Sequence, residues 1–165
     1  MIRVYTKTRH KEKIHKFLSQ INLEHEIYTI NDEPPLKSFD LGVSYAYPRK
    51  IVKPLLTTPS KGFVNYHSGP LPKYKGPNQY QEAIKNKEIH WGVTLHYMDE
   101  DYDTGKIIKI KYFDYHEPMK SIEESNSVSH WFLFNLFKET IKDVYNEKVP
   151  SIEQKFIPQI FHSND

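Results

Sequence analysis

The first thirty residues switch between two hydrophobic periodicities, and this pattern constrains the fold more than any other feature of the chain. "IRVYT" (residues 2–6) and "HEIYTI" (25–30) are rich in β-branched and aromatic residues, which is typical of strands. The apolar residues between them recur at helical spacing: Ile14, Phe17, Leu18 and Ile21. Because parallel strands need a crossover connection, which such a helix supplies, the pattern predicts a parallel α/β sheet.

The rest of the chain continues this alternation. We predict further strands in "FDLGVSYAY" (39–47), "GFVNYH" (62–67), "HWGVTLHYM" (90–98) and "KIIKIKYFDY" (106–115). We predict a short helix broken at Pro54, a helix in "PNQYQEAIKN" (77–86) and a long one in "NSVSHWFLFNLFKETIKDVYN" (126–146), followed by a tail packed over the core. The expected fold is α/β, with an open, mostly parallel Rossmann-like sheet, helices on both faces and a long C-terminal helix, in one domain spanning residues 1–165.

Composition narrows the function classes. The 165 residues carry 23 basic and 21 acidic side chains, a net charge of +2 with the signs interspersed, which gives little support to nucleic-acid binding. The absence of cysteine excludes a disulfide scaffold, a thiolate zinc site and a cysteine nucleophile. Neither a signal peptide nor an apolar run of about 20 residues is visible. We therefore expect a cytoplasmic protein with no membrane partner.

A polar pair stands at the end of the strand predicted at 62–67. Asn65 and His67 are two residues apart, so their side chains share one face of that strand. Ligands of open α/β sheets bind at the carboxyl ends of the strands, and an amide and an imidazolium can both donate to an oxyanion. The alternative is structural, with Asn65 satisfying turn backbone and His67 an ordinary half-buried histidine. The pair alone does not decide between these interpretations.

Two loops follow, with similar ambiguity. The prolines and glycines of "HSGPLPKYKG" (67–76) suit a stiff binding loop and equally a structural turn. In "DEDYDTG" (99–105), the aspartates alternate as in a calcium loop, but the glycine comes too late and no glutamate occupies the twelfth position. This turn is either a solvated acidic segment or the source of a carboxylate that orients His67.

Two sets of side chains are assigned less specific places. We expect a surface position for six histidines: His10, His15, His25, His116, His130 and His162. The long helix carries an apolar stripe of Val128, Trp131, Phe132, Phe137, Ile141 and Val144. We interpret this stripe as core, with a homo-oligomer interface as the alternative.

Two longer stretches, "GFVNYHSGPLPKYKGPNQYQEAI" (62–84) and "GVTLHYMDEDYDTGKII" (92–108), resemble the formyltransferase family that uses 10-formyltetrahydrofolate. The shared pattern is Asn-x-His, a proline-rich loop with Leu-Pro and a short spacer to Gly, a helix ending near Ala-Ile, a Gly-Val-Thr-x-His strand and an Asp-x-Gly turn. "SYAYPRKIVKPLL" (44–56) is similar to the folate-binding segment of that family. The resemblance covers residues 40–110 firmly.

The resemblance implies roles for individual residues. Asn65, His67 and Asp103 fall on the catalytic triad of the family, and no metal is required. The segments that hold the cofactor, 10-formyltetrahydrofolate, correspond to Tyr47, Pro48, Arg49, Lys50 and Ile51 and to Met98, Asp99, Glu100 and Tyr102. The acceptor end of the site corresponds to Gly76, Pro77, Asn78 and His96.

The implied reaction moves a formyl group to a primary amine, with Asn65 and protonated His67 stabilising an oxyanion while Asp103 keeps His67 charged. Compared with the family, the loop reads HSGPLP instead of HPSLLP, and the N-terminal half is shortened by a strand-helix unit. No glycine-rich phosphate loop follows "IRVYT", and no C-terminal RNA-binding domain is present, which weakens glycinamide ribonucleotide and initiator methionyl-tRNA as acceptors. The resemblance thus favours a nucleotide-linked amino sugar as partner and no nucleic acid. Alternatives are a 10-formyltetrahydrofolate hydrolase, a glycinamide ribonucleotide formyltransferase and a non-catalytic folate- or sugar-binding remnant.

Overall fold

A six-stranded sheet forms the centre of the structure, a computed structural model that describes residues 1–158. Its strands lie in the order β2-β1-β3-β4-β5-β6. The first four strands are parallel to one another, whereas β5 and β6 run antiparallel to their neighbours. The bounds are β1 Ile2–Thr6, β2 His25–Tyr28, β3 Leu41–Tyr45, β4 Phe63–His67, β5 His90–Tyr97 and β6 Ile107–Asp114. The predicted α/β fold with a mostly parallel sheet is confirmed.

Three α-helices accompany the strands in residues 1–158: α1 Thr8–Gln20, α2 Gln79–Lys85 and α3 Ile122–Tyr145. Helix α3 begins four residues earlier than predicted, because Ser121 caps it by accepting a hydrogen bond from the Glu124 amide. The segment near Pro54 forms only a short 3₁₀ helix, Leu55–Thr57, and a second one, Gln154–Phe156, follows α3. Within the described part of the chain, no helix is long and apolar enough to cross a membrane.

Helices α1 and α3 pack on the same face of the sheet. The core between them and the strands contains Ile14 and Leu18 from α1 and Leu133 and Phe137 from α3. The predicted stripe of α3 is correct in its C-terminal half, since Phe137, Ile141 and Val144 are buried. In its N-terminal half Phe132 packs against the core, but the Trp131 side chain is 64% exposed, and Leu133 and Leu136 are buried although the predicted stripe left them out. The helical phase, and not the size of the apolar side chain, decides which residues are buried.

The sequence predicted helices on both faces of the sheet, but the opposite face carries no long helix in residues 1–158. Instead, the connection from β2 to β3 crosses it as a loop, at the place where the sequence indicated a shortened N-terminal half. Arg3 of β1 holds this loop: its guanidinium donates to the carbonyl oxygens of Pro35 (2.7 Å) and Lys37 (3.2 Å) and lies 4.6 Å from the centre of the Phe39 ring. An ion pair at 2.6 Å with Glu26, whose side chain is partly exposed, compensates its charge.

The C-terminal tail returns to the sheet. Ile152 forms a bridge with Ile107 at the start of β6, with both N···O distances 2.8 Å, as expected of a tail packed over the core. Of the histidines predicted at the surface, His10 and His130 are buried instead, because α1 and α3 bring their rings together at 4.9 Å. His162 lies outside the described residues.

Candidate active site

A cavity of about 470 Å³ opens beside the carboxyl ends of β3 and β4. Asn65 and His67 line it from the face of β4 that points away from α1 and α3, while Val64 and Tyr66 face the helical core. This arrangement follows from the two-residue period of a strand, as the sequence predicted. The cavity therefore lies at the carboxyl edge of the sheet, where Asn65 and His67 line it from one face and Asn126 and His130 of α3 from the other.

Four polar side chains meet in this cavity and form the carboxylate cluster: Asn65, His67, His96 and Asp103. The Asn65 Nδ2 donates to Asp103 Oδ1 at 3.1 Å and lies 3.2 Å from His96 Nε2. The Asp103 carboxylate also lies 3.2 Å from His96 Nε2, through Oδ1, and 3.5 Å from His67 Nδ1, through Oδ2. One carboxylate thus joins the predicted Asn-His pair to a histidine of β5.

Local backbone geometry explains why Asp103 can reach the strand pair. Asp103 itself has a φ of 53°, in the left-handed region, and its Oδ2 accepts a hydrogen bond of 2.8 Å from the Gly76 amide. Gly105 must be glycine, because a Cβ there would lie 1.9 Å from the Tyr97 carbonyl oxygen. Strained backbone of this kind persists only where the surroundings hold it.

Gln154 of the second 3₁₀ helix supplies much of that support. Its amide nitrogen donates to the carbonyl oxygens of Asp103 (2.7 Å) and Gly105 (3.0 Å), and its side chain is buried. The C-terminal tail therefore braces the turn that carries the carboxylate, from about fifty residues further along the chain.

The orientation of His67 is determined by two acceptors. Its Nε2 lies 2.6 Å from the Tyr74 carbonyl oxygen, which can only accept, so Nε2 carries a proton. Its Nδ1 faces the Asp103 carboxylate. Burial lowers the pKa of His67, and the Asp103 charge and the Tyr74 carbonyl oppose this effect. The neutral ring consequently keeps its lone pair on Nδ1, the nitrogen next to Asp103.

Asp103 stays ionised in spite of its burial. Desolvation alone would raise its pKa, but the hydrogen bond with His96, the charges of the two histidines and the Gly76 amide together hold the pKa well below its usual range. His96 in turn donates from Nδ1 to the Tyr97 carbonyl at 2.7 Å, which fixes the orientation of its ring. The register shift between Leu95 and His96 aims this ring at the carboxylate.

The proline-rich loop is anchored to β5. Thr94 accepts a hydrogen bond from the Leu71 amide (3.1 Å) and donates to the Gly69 carbonyl (2.8 Å), and the Trp91 indole donates to the Ser68 carbonyl (3.2 Å). These contacts place the Tyr74 carbonyl and the Gly76 amide against His67 and Asp103. The loop is thus a fixed wall of the cavity.

Most of the residues assigned to ligand binding line this cavity. On one side lie Tyr47, Pro48, Arg49, Lys50, Ile51, Met98, Asp99 and Tyr102, and on the other Gly76, Pro77 and His96. Two assigned residues do not line it. Glu100 points to solvent, 71% exposed, in an ion pair with Lys53, and Asn78 precedes α2 at its N-terminal end.

Sequence reasoning missed several residues of the site. Lys7, Ser44, Gln79, Tyr80, Asn126 and His130 also line the cavity. Lys7 follows β1 and Asn126 belongs to α3, so only the assembled fold brings them near β4. For Lys7, the position directly after a predicted strand was an available signal; for Asn126, His130 and Gln154 the sequence offered none.

The sequence model described as formyl transferase matches residues 24–130. Methionyl-tRNA formyltransferase of Halothermothrix orenii is 40% identical over 88 residues, which are 53% of this chain and 27% of that protein. The Methylacidiphilum infernorum methionyl-tRNA formyltransferase is 36% identical over 110 residues, 61% of this chain and 34% of that protein. The matched region thus spans about a quarter to a third of these curated relatives.

Solved structures show the same fold. A formyltransferase from Anoxybacillus kamchatkensis, in complex with UDP-4,6-dideoxy-4-formamido-L-AltNAc and tetrahydrofolate, superposes with a TM-score of 0.76 at 24% identity, covering 93% of this chain and 80% of that one. An N-formyltransferase from Helicobacter canadensis, in complex with folinic acid and dTDP-3-aminofucose, gives 0.80 at 21%, covering 94% and 68%. The family match spans well over half of the chain and includes all four members of the carboxylate cluster. The chain belongs to the formyl transferase family.

Proposed function

We propose that this protein transfers a formyl group from 10-formyltetrahydrofolate to the primary amine of a nucleotide-linked amino sugar, and that Asn65, His67 and Asp103 are its catalytic residues. The observation that carries the proposal is the Asp103 carboxylate, which joins Asn65, His67 and His96 in one cavity. A neutral histidine beside an ionised carboxylate can accept a proton, and an adjacent amide can donate a hydrogen bond to a developing oxyanion.

In this proposal the Asn65 amide donates a hydrogen bond to the formyl oxygen. Its amide nitrogen now donates to Asp103 at 3.1 Å and lies 3.2 Å from His96 Nε2. These long contacts are easily exchanged for a bond to an oxygen that gains charge as the amine attacks. Loss of one such donor typically costs about a hundredfold or more in rate.

His67 and Asp103 handle the proton. The Nε2 hydrogen of His67 is committed to the Tyr74 carbonyl, so Nδ1 is the nitrogen that accepts a proton from the attacking amine. The new N–C bond forms as the bond between the formyl carbon and the folate nitrogen breaks, and the proton returns from Nδ1 to that nitrogen. Asp103 stabilises the transient imidazolium at 3.5 Å. Protonated His67, expected from the resemblance, is thus the intermediate form and not the resting one.

The wall formed by residues 47–51 and 98–103 suits a folate. Ile51 is buried and Met98 partly buried, which gives a flat ring an apolar support. Arg49 and Lys50 are exposed at the rim, and cations there suit the carboxylates of a folate glutamate. 10-Formyltetrahydrofolate supplies the formyl group as co-substrate.

Two observations bear on the identity of the acceptor, and they point to different molecules. The structures that superpose on most of this chain include formyltransferases solved with nucleotide sugars, whereas the curated relatives with higher identity are methionyl-tRNA formyltransferases. The net charge of +2 favours a small acceptor over a tRNA, whose backbone phosphates call for a strongly basic surface.

The test incubates the protein with 10-formyltetrahydrofolate and either UDP- and dTDP-linked amino sugars, glycinamide ribonucleotide or initiator methionyl-tRNA. Tetrahydrofolate release and the formylated product are measured. We expect product only with an amino sugar nucleotide, and a fall of about a hundredfold in Asn65→Ala. Formate released at the same rate without any acceptor would show a hydrolase instead, and no release above the Asn65→Ala background would refute catalysis.

A further inference from the structure

A second depression, of about 400 Å³, lies on the helical side of the molecule between α1 and α3. We call it the cationic patch and define it by Arg9 and Lys13 of α1 and Trp131, Phe134 and Lys138 of α3. None of these side chains has a part in the proposed formyl transfer. Three of the five are cations and two are aromatic, which is the combination that binds the phosphates and the ring of a nucleotide.

The positive charge of the patch is not compensated from within residues 1–158. The Arg9 guanidinium donates to His10 Nε2 (3.2 Å) and Asn126 Oδ1 (3.4 Å), both of them neutral groups. Lys13 and Lys138 lie over the Phe134 ring, with Nζ 4.6 and 5.3 Å from its centre. In the described part of the chain, none of these three cations forms an ion pair with a carboxylate, although nearby lysines such as Lys16 and Lys109 do.

The pKa values of the neighbouring histidines, His10 and His130, reflect the same positive charge. Burial, together with the charges of Arg9, Lys13 and Lys7, lowers the pKa of His10 to about 3 and that of His130 to about 4. His130 also keeps a buried Nδ1 without a hydrogen-bond partner. A cluster whose histidines are held neutral by surrounding cations is an environment that a bound anion would stabilise.

The aromatic part of the patch is accessible. Trp131 is 64% exposed at the edge of the depression, an unusual position for the largest apolar side chain. Stacking of a nucleobase on such a ring contributes about 1–3 kcal/mol.

The patch is continuous with the candidate active site. Asn126 and His130 line both depressions, and Lys7 lines the first. A molecule whose amine lies at Asn65 can therefore extend past Lys7 and Asn126 to Arg9 and Lys13. From the candidate active site outward, such a molecule would meet the carboxylate cluster, then the cations and then the Trp131 ring.

We propose that the cationic patch binds the nucleoside diphosphate of the acceptor, with the diphosphate at Arg9, Lys13 and Lys7 and the base stacked on Trp131. This inference rests on the proposed function for the placement of the amine, but its ligand is recognised by chemistry independent of formyl transfer. A diphosphate supplies the negative charge that the described residues lack here, and a pyrimidine supplies the ring for Trp131.

The test uses UDP as the probe, without folate, and measures its Kd by isothermal titration calorimetry. We expect Arg9→Ala and Trp131→Ala each to weaken UDP binding about tenfold, because each removes one charged or stacking contact of a kind worth about 1–3 kcal/mol. Both side chains are exposed, so the variants should fold, which circular dichroism checks. Lys11→Ala, an exposed charge on the same helix outside the patch, should bind UDP as the wild type does. Inorganic pyrophosphate should bind more weakly than UDP and be insensitive to Trp131→Ala.

Failure of this inference is distinct from failure of the proposed function. Lack of UDP binding by the wild type, or equal weakening in Lys11→Ala and Arg9→Ala, overturns the patch even if an amine is formylated. UDP binding with the expected variant pattern supports the patch even if no acceptor is turned over. Asn65→Ala should retain the wild-type Kd for UDP.

Discussion

Two buried pairs of histidines lie in this small protein, and their surroundings are opposite. In the carboxylate cluster, His67 and His96 flank Asp103 at 3.5 and 3.2 Å. On the helical side, His10 and His130 stack at 4.9 Å among Arg9, Lys13 and Lys7. Burial lowers the pKa of His67, His10 and His130 alike, so burial does not distinguish the pairs. The charge of the neighbouring groups distinguishes them: a carboxylate in the first pair and cations in the second.

The difference separates proton transfer from anion binding. A neutral histidine beside a carboxylate can take up a proton, because the resulting imidazolium meets a negative charge. A neutral histidine beside three cations cannot, and the same cations attract an anion instead. The two regions thus offer the two properties that the proposed formylation of a nucleotide-linked amine requires.

The largest expected effect comes from removing the carboxylate that distinguishes the first pair. Asp103→Asn keeps the shape and leaves an oxygen for the Gly76 amide, but no charge remains to stabilise a protonated His67. We expect kcat for formyl transfer to fall roughly a thousandfold, with KM for the folate changed much less. Steady-state kinetics of tetrahydrofolate release measure this.

The matched control is Asp114→Asn. The His90 and Asp114 side chains form the same kind of pair at 2.7 Å, but both are mostly exposed. Its loss should leave kcat within about twofold, since exposed ion pairs contribute little. If Asp103→Asn retains a third of the wild-type kcat, Asp103 has no role in proton transfer.

A smaller effect is expected from loosening the Asp103 turn instead of changing its charge. Gln154→Ala removes both hydrogen bonds that brace the turn, so the carboxylate moves away from His67. We expect kcat to fall about tenfold, because misplacement of a reacting group is costly even without loss of the group. Since Asp103 raises the pKa of His67 against burial, the acidic limb of the kcat profile should shift to lower pH.

Lys155→Ala is the control for this second change. Lys155 is the exposed neighbour of Gln154, with its charge over the Phe156 ring, and its loss should alter neither kcat nor the pH profile. A reduced kcat in Gln154→Ala with an unchanged pH profile would mean that Gln154 supports the fold alone and does not position Asp103.

The sequence predicted those features of the two regions that depend on local structure and missed those that depend on contacts between distant segments. Asn65 and His67 share a face because a strand has a period of two, and the acidic turn offered the carboxylate. The resemblance supplied the link between them. Gln154 could not be found, because its contact to Asp103 depends on how the tail returns along β6. Trp131 was assigned to the core because a large apolar residue usually lies there.

The burial of His10 and His130 could not be predicted for the same reason. His10 and His130 are polar residues on amphipathic helices, so a surface position was the reasonable prediction, and only the packing of α1 on α3 buries them. Arg3 is the counterpart on the other face: a charged residue in a strand, buried because a loop without a helix crosses over it. Such contacts depend on tertiary structure, which periodicity does not encode.

The smallest expected effect tests the second pair through stability. The folded state holds the pKa of His130 at about 4, below its ordinary value of 6.5, so between these values the unfolded chain binds more protons and stability falls as the pH falls. His130→Phe keeps a ring beside His10, Arg9, Lys13 and Lys7 but cannot titrate. Between pH 7 and pH 5 we expect the variant to lose roughly 2 kcal/mol less unfolding free energy than the wild type, measured by urea denaturation. His116→Phe, at an exposed site, should follow the wild type. Parallel losses in wild type and His130→Phe would show that burial and the surrounding cations do not lower the pKa of His130, and the contrast between the two histidine pairs would then rest on Asp103 alone.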